Sequence, residues 1–141
     1  MKKFFLCLIL LISISNIFCA NKPLKVSVKI TGKSGAYYHA KIYIINQSKS
    51  NITFWMWTCD ISDSFVFNTT AASFNVVKIC DGNHLFPYDL SPNKMYVFEI
   101  DIVIDRKKIL NFTNLRLALI YNRDRIHKEL IWCDKPIKYN W

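Results

Sequence analysis

The chain has 141 residues, only three glycines and four prolines, and a formal net charge of +9. That length holds one domain with room for a proper core, so a disulfide-stapled miniature is not required. The basic balance attracts anionic surfaces weakly. Recognition of nucleic acid also needs a groove-reading motif, which is absent, so no nucleic acid is expected as a partner.

Residues 1–20 read as an export signal. Lys2 and Lys3 form a basic start, and Phe4 to Ile12 form an apolar run too short to span a bilayer comfortably. Ala20 suits the position before a cut, although Phe18 is bulky two residues earlier, and Ser13-Ile14-Ser15 is a second candidate. Cys19 raises a lipid anchor and with it peripheral membrane association; Phe18 speaks against it, because a lipobox wants a small residue there. Loss of Lys2 and Lys3 lowers the charge to about +7. The expected product is an exported domain over residues 21–141 that resides in the periplasm, at the cell surface or in the medium.

Alternation with period two dominates the chain beyond residue 20. Leu24, Val26, Val28 and Ile30 share one face and Lys25, Ser27 and Lys29 the other, predicting a half-buried strand. Thr31 to Gly35 is the expected turn. Its Gly-Lys-Ser is no phosphate loop, since Ser27 stands where the first glycine belongs and no helical pattern comes after it. Tyr38 to Asn46 is the next strand, and 47–51 a polar hairpin loop. Ile52 to Cys59 carries apolar residues at both parities and reads as a strand buried on both faces. A loop over 60–64, a short Phe65-Val66-Phe67, a turn from Asn68 to Ala72 and a strand from Phe74 to Cys80 come next.

Asp81-Gly82-Asn83-His84 is a tight turn. Pro87 and Pro92 bracket a segment that must be edge or loop, because proline cannot donate to a ladder. Tyr96, Phe98, Ile100, Ile102 and Ile104 form the clearest inward face, with Glu99 and Asp101 outward. Leu115, Leu117, Leu119 and Tyr121 alternate in the same way, and Leu130 to Cys133 is the last strand. Seven to eight strands separated by turns predict an all-β fold, an antiparallel two-sheet sandwich of immunoglobulin-like type.

Asn51 to Cys59, then Lys78 to Asn83, then Leu90-Ser91-Pro92-Asn93 leading into Tyr96-Val97-Phe98 resemble a group of small, uncharacterised exported bacterial proteins. The likeness covers roughly residues 40–104. It implies a fold and a compartment and no established activity. The turn before Tyr96 also resembles one in immunoglobulin-like inhibitor and adhesin modules.

No catalytic constellation is legible. There is no nucleophile elbow and no zinc-protease helix, and His39 and His127 stand apart from any base–nucleophile pattern. Glu99 and Asp101 share a strand face and read as its solvated side. Cys80 and His84 are one close ligand pair where a zinc site needs two, so no metal and no cofactor are expected. In an oxidising compartment Cys59 and Cys80, at the ends of two strands, are expected to pair, closing a loop worth roughly 3 kcal/mol. Cys133 is left as a core thiol. Trp55 and Trp57 share one face of their strand and Phe54 and Met56 the other; one face packs into the sandwich, and the second needs cover from another sheet edge, a long loop or a partner.

These readings point to a non-enzymatic exported protein that binds an unknown protein or glycan through its surface. Loops 47–51, 60–64 and 81–94 are the candidate contacts, with Gly82, His84, Phe86 and Pro87 as the recognition residues. A secreted inhibitor of a protease or other hydrolase, presenting the Gly82–Pro92 segment, is the alternative. A small outer-membrane β-barrel is a further one.

Overall fold

The structure is a computed structural model that describes residues 22–76, 81–82, 84–105, 107–108, 114–122 and 128–139. It contains nine strands in chain order: β1 (Leu24–Ser34), β2 (Tyr37–Asn46), β3 (Ile52–Trp57), β4 (Phe65–Phe67), β5 (Ala72–Phe74), β6 (Leu85–Leu90), β7 (Met95–Ile104), β8 (Leu117–Asn122) and β9 (Lys128–Trp132). The protein is all-β, with antiparallel pairing throughout and no α-helix among the described residues.

One sheet has the order β1-β2-β7-β5; the other runs β4-β8-β3-β6, with β9 added to β8. The second sheet is held together thinly. β3 and β8 share a single pair, Trp55↔Asn122, whereas β3–β6 and β8–β9 are full ladders. A one-turn 3-10 segment, Ile61–Ser64, separates β3 from β4, and β4 then rejoins β8. The expected clean two-sheet sandwich is therefore corrected to one continuous sheet facing two ladders, β3–β6 and β4–β8–β9. The described strands close no single ring.

Several boundaries differ from the sequence reading, each for a local reason. β1 runs through the expected turn to Ser34, absorbing Gly32 at a register shift between Ile30 and Gly32. Only Gly35, with φ +57°, reverses the chain; it is the first residue of a two-residue hairpin loop, where a II′ turn needs positive φ. β3 stops at Trp57 and is buried on one face alone. Ile52, Phe54 and Met56 point into the core, Thr53 is exposed, and Trp55 and Trp57 are half-buried. The segment with Pro87 is an edge strand, β6, where the missing N–H costs no ladder bond. β5 occupies 72–74, taking Ala72 from the expected turn, and residues 77–80 of the expected 74–80 strand lie outside the described residues.

The core is aromatic where the sheets meet. Phe54 of β3 stacks on Tyr88 of β6 at 5.9 Å, and Tyr88 meets Tyr96 and Phe98 of β7 edge-on at 5.4 and 6.2 Å. Further along, Phe65 of β4 meets Phe98, and Phe67 meets Phe74 of β5 at 4.7 Å. Such tilted pairs are worth about 0.5–1.5 kcal/mol each beyond the area they bury. Leu115, Leu117 and Leu119 join Val26, Ile42 and Ile44 in the same buried cluster.

One polar residue sits in this core with no exposure at all, Asn46. Its Nδ2 donates to the Ser50 and Leu90 carbonyls at 2.8 and 2.7 Å. Its Oδ1 accepts from the backbone and hydroxyl of Ser48 at 2.8 and 2.7 Å. The backbone N–H reaches Lys94 and the carbonyl receives Asn93. Asn93 has φ 60° behind Pro92, and Lys94 N–H returns to Ser91. These are the proline and positive-φ positions of a type II turn. We expect Asn46→Ala to destabilise the domain by about 3 kcal/mol or more, because several buried carbonyls and N–H groups lose partners together. Asn46→Asp should cost at least as much, since it sets a carboxylate against two carbonyls. Chemical denaturation of both variants measures this, and a loss under about 1 kcal/mol would refute the role given to Asn46.

Candidate functional site

Which side chains face outward is set by register. Directly opposed residues in an antiparallel pair share a face. Because Phe54 and Met56 fill the core, Trp55 and Trp57 face away from it. Pro87 and Leu85 lie opposite them on β6. On β8, Leu117 and Leu119 are buried inward, so Ala118 and Ile120 face out, opposite Trp132 and Leu130 of β9. Val66 of β4 pairs with Ala118 from the other side. The outer surface of the two ladders is thus apolar from Leu85 through Trp57 and Ile120 to Leu130, with Val66, Ala118 and Trp132 in the next row.

Most of these side chains are half-buried against each other. Leu130 is 41 % exposed and Val66 36 %, whereas Ala118 between its larger neighbours is fully covered. Polar groups begin at the margin, where the Thr53 hydroxyl donates to Asp89 at 2.6 Å. Phe86 projects from the edge strand, 51 % exposed and edge-on to Tyr88.

The four predicted recognition residues lie along one edge of this surface. Gly82 and His84 are exposed; His84 Nδ1 is 2.9 Å from the Gly82 carbonyl. The His84 carbonyl accepts from both the N–H and the hydroxyl of Thr58. Phe86 and Pro87 belong to β6 itself, paired residue for residue with β3. The expected open loop over 81–94 is therefore a strand between Leu85 and Leu90. Loop 47–51 is tied down by Asn46, and residues 61–64 of the expected 60–64 loop form the 3-10 turn, capped by Asp60, whose carboxylate accepts from the N–H and hydroxyl of Ser62.

Cys59 is disulfide-bonded, and Cys133 is a free, buried thiol. Cys80 lies outside the described residues, so its pairing with Cys59 stays an expectation. The Cys133 sulfur accepts from the Leu117 N–H at 3.4 Å and donates to the Lys135 carbonyl at 3.1 Å. It is part of the strap that holds the C-terminal segment on β8.

The opposite sheet carries a polar cluster that the sequence reading left as separate residues. Register places His39 opposite Asp101 and Lys41 opposite Glu99. His39 Nδ1 is 2.6 Å from Asp101, and Lys41 is 2.7 Å from Glu99. The signal was available: two basic and two acidic residues at matching alternate positions on strands that become neighbours. A shallow cavity of about 420 Å³ lies over them, with Thr31, Asn75 and Ile100 in its lining. It offers no nucleophile in reach of a base, as the Thr31 hydroxyl donates to the His39 carbonyl. Among the described residues no three His, Cys, Asp or Glu side chains converge to hold a metal ion.

The hydrogen bond from Lys41 to Glu99, and then the Glu99 charge, raise the lysine above its ordinary 10.5. Burial, with Tyr38 beside it, raises Tyr139 above 10.0.

No protein-family model matches the chain, and no curated protein matches it. Among solved structures, the FixG-related protein from Vibrio parahaemolyticus aligns over 79 % of this chain and 92 % of that one, at 12 % identity and a TM-score of 0.41. At that score the likeness carries no argument about this chain.

Non-reducing digestion should release a peptide linking Cys59 to Cys80, with Cys133 alkylated only after unfolding; a Cys133 linkage would sink the pairing. Removing the bond with paired alanines should cost about 2–5 kcal/mol. Separately, both raised groups contribute stability that is intact below their unfolded values of 10.5 and 10.0 and is lost as pH rises through the higher folded ones. Melting temperature should therefore drop as pH rises above these unfolded values, and drop less in Tyr139→Phe. Equal loss in both proteins removes Tyr139 from the account. The Lys41–Glu99 pair is solvent-exposed and screened, so Lys41→Met should barely register.

Proposed function

We propose that the protein is an exported, non-enzymatic binding protein of the cell envelope, and that it binds through the apolar outer face of β3, β6, β8 and β9. The observation that carries this reading is the contiguous row from Leu85 to Leu130, on strands whose outward positions would be polar if they only met water. The sheet on the other side of the same core is mixed, with Lys29, Lys41, Glu99, His39 and Asp101 outward at its middle and Tyr37, Tyr43, Ile45, Met95, Val97 and Val103 outward around them.

The strand order supports an immunoglobulin-like reading of the fold. β1-β2-β7-β5 corresponds to strands A, B, E and D, and β3-β8-β9 to C, F and G. β4 and β6 are then additions, and β6 widens the binding face on the C-strand side. Export rests on residues 1–20, which lie outside the described residues.

A photo-crosslinking side chain tests this directly. Placed at Leu130, 41 % exposed, it should capture an envelope component that the same group at Val97, 44 % exposed on the opposite sheet, does not. Trp57→Ala should reduce the capture at least fivefold while the circular dichroism spectrum is retained. Capture at Val97 alone, or turnover of an envelope substrate by the purified protein, contradicts the reading.

A further inference from the structure

The chemistry of this face narrows what it binds. We propose that its ligand is a flat, uncharged, extended oligosaccharide that lies across the strands on Trp55, Trp57 and the Ile120–Leu130–Trp132 surface; the inference rests on the reading of this face as the binding surface.

Backbone pairing is closed to a peptide ligand at each edge among the described strands. β1 carries Lys25, Lys29 and Lys33 and a register irregularity at Ile30/Gly32. β4 and β5 are three residues long, and β6 has Pro87 within it. β9 is five residues long and begins Lys128-Glu129. Short length, lysine, proline and bulges are the devices that stop another strand from adding to a sheet. The ligand must then be held by side chains on the face.

Area excludes a large partner. Four strands at about 4.8 Å spacing and two outward rows about 6.8 Å apart give a platform of roughly 200–300 Å². A stable protein interface, including one with a second copy of this chain, buries about 800 Å² on each side. The platform is too small by a factor of about three, and it suits a ligand about 15 Å long.

Charge selects among the ligands that fit. The row from Leu85 to Leu130 has no ionisable side chain. The adjoining row, which holds Pro87 and Trp55, ends on a single lysine, Lys128; Asp89 lies beyond Pro87 on β6, and the guanidinium of Arg116, beyond Ala118, donates to the Cys133 carbonyl. An anionic lipid surface would want a lysine cluster here, and a charged metabolite would want a partner within the row. An extended pyranoside chain meets both conditions. Its ring faces are C–H surfaces that pack on indole, a rigid apolar plate with a negative face. Its hydroxyls lie at the ring perimeter, where they reach margin groups such as Asp89, already accepting from Thr53. Residues spaced across a sheet, level with one another, favour a straight chain over a coiled one.

The full-length mature protein should be titrated with chitohexaose and cellohexaose, both extended, and with maltohexaose, which coils, while indole fluorescence and heat are monitored. At least one extended hexaose should bind and shift the indole emission, with at least tenfold preference over maltohexaose. Trp57→Ala and Trp132→Ala should each weaken binding at least tenfold, and Trp57→Phe should restore most of it. Should the alanine variants misfold, saturation-transfer NMR on the unaltered protein decides instead, with the ring C–H protons of the sugar carrying the strongest contact signal. Failure of both extended hexaoses overturns the inference. If a proline-rich decapeptide or anionic vesicles then shift the same indole emission, the face is still the binding surface and only its ligand class was wrong. If nothing shifts it and Leu130 captures nothing, the functional reading falls too.

Discussion

The buried amide of Asn46 is the interaction on which the rest of the structure depends. A primary amide has two donors and two acceptor positions, and here all four are used inside the protein, together with the backbone N–H and carbonyl of the same residue. A half-satisfied amide at this depth would cost more than an apolar side chain of the same shape, so the arrangement is stable only as a complete set. Its partners come from three places: the loop after β2, the end of β6 and the turn that opens β7. Asn46 thereby fixes where β6 ends relative to the four-stranded sheet. Through the β3–β6 ladder it also fixes the height at which Trp55 and Trp57 stand.

From that point the two halves of the core are built differently. Near Asn46 the sheets are joined by aromatic side chains, with Phe54, Tyr88, Tyr96 and Phe98 in mutual tilted contact and the Tyr96 hydroxyl donating to the Asp89 carbonyl. Toward the C-terminus the contacts are aliphatic, and polar groups strap the last segment down. Cys133 and Ile137 N–H groups bond to the Leu117 and Leu115 carbonyls, Arg116 donates to the Cys133 carbonyl at 2.6 Å, and Lys25 pairs with Asp134. Among the described residues the single pair Trp55↔Asn122 is the ladder contact between β3 and β8. The continuity of the outer surface therefore owes more to its side chains than to its hydrogen bonds.

The two outer surfaces differ in how polar and apolar positions are arranged. On the four-stranded sheet, Lys41 with Glu99 and His39 with Asp101 pair across strands at the middle, at little gain in stability, and Tyr43, Val97, Ile45 and Met95 face outward beyond them. On the other side large apolar side chains cover each other only in part.

Much of this could be read from the chain before folding. Alternation along residues 24–30, 38–46, 96–104 and 115–121 is a local property, and it marked the four strands that carry most of the core. Pro87 announced an edge or a loop, because a missing N–H is a fact of one residue. The reading of Cys133 as a core thiol came from its neighbours. What alternation cannot supply is which strand lies beside which. That information decided the Lys41–Glu99 and His39–Asp101 pairs, the conversion of an expected recognition loop into β6, and the division of one sheet into two ladders. The same limit applied to β3. Phe54-Trp55-Met56-Trp57 is apolar at both parities and reads as buried on both sides. Only the partner strands, which bring Leu85 and Pro87 to the Trp side and leave Trp55 and Trp57 half-buried among the described residues, show that this face is not core. Local chemistry set the elements, because each residue's backbone preference and polarity act over a few positions. Tertiary structure set the face, because a surface exists only once strands distant in the chain are placed side by side.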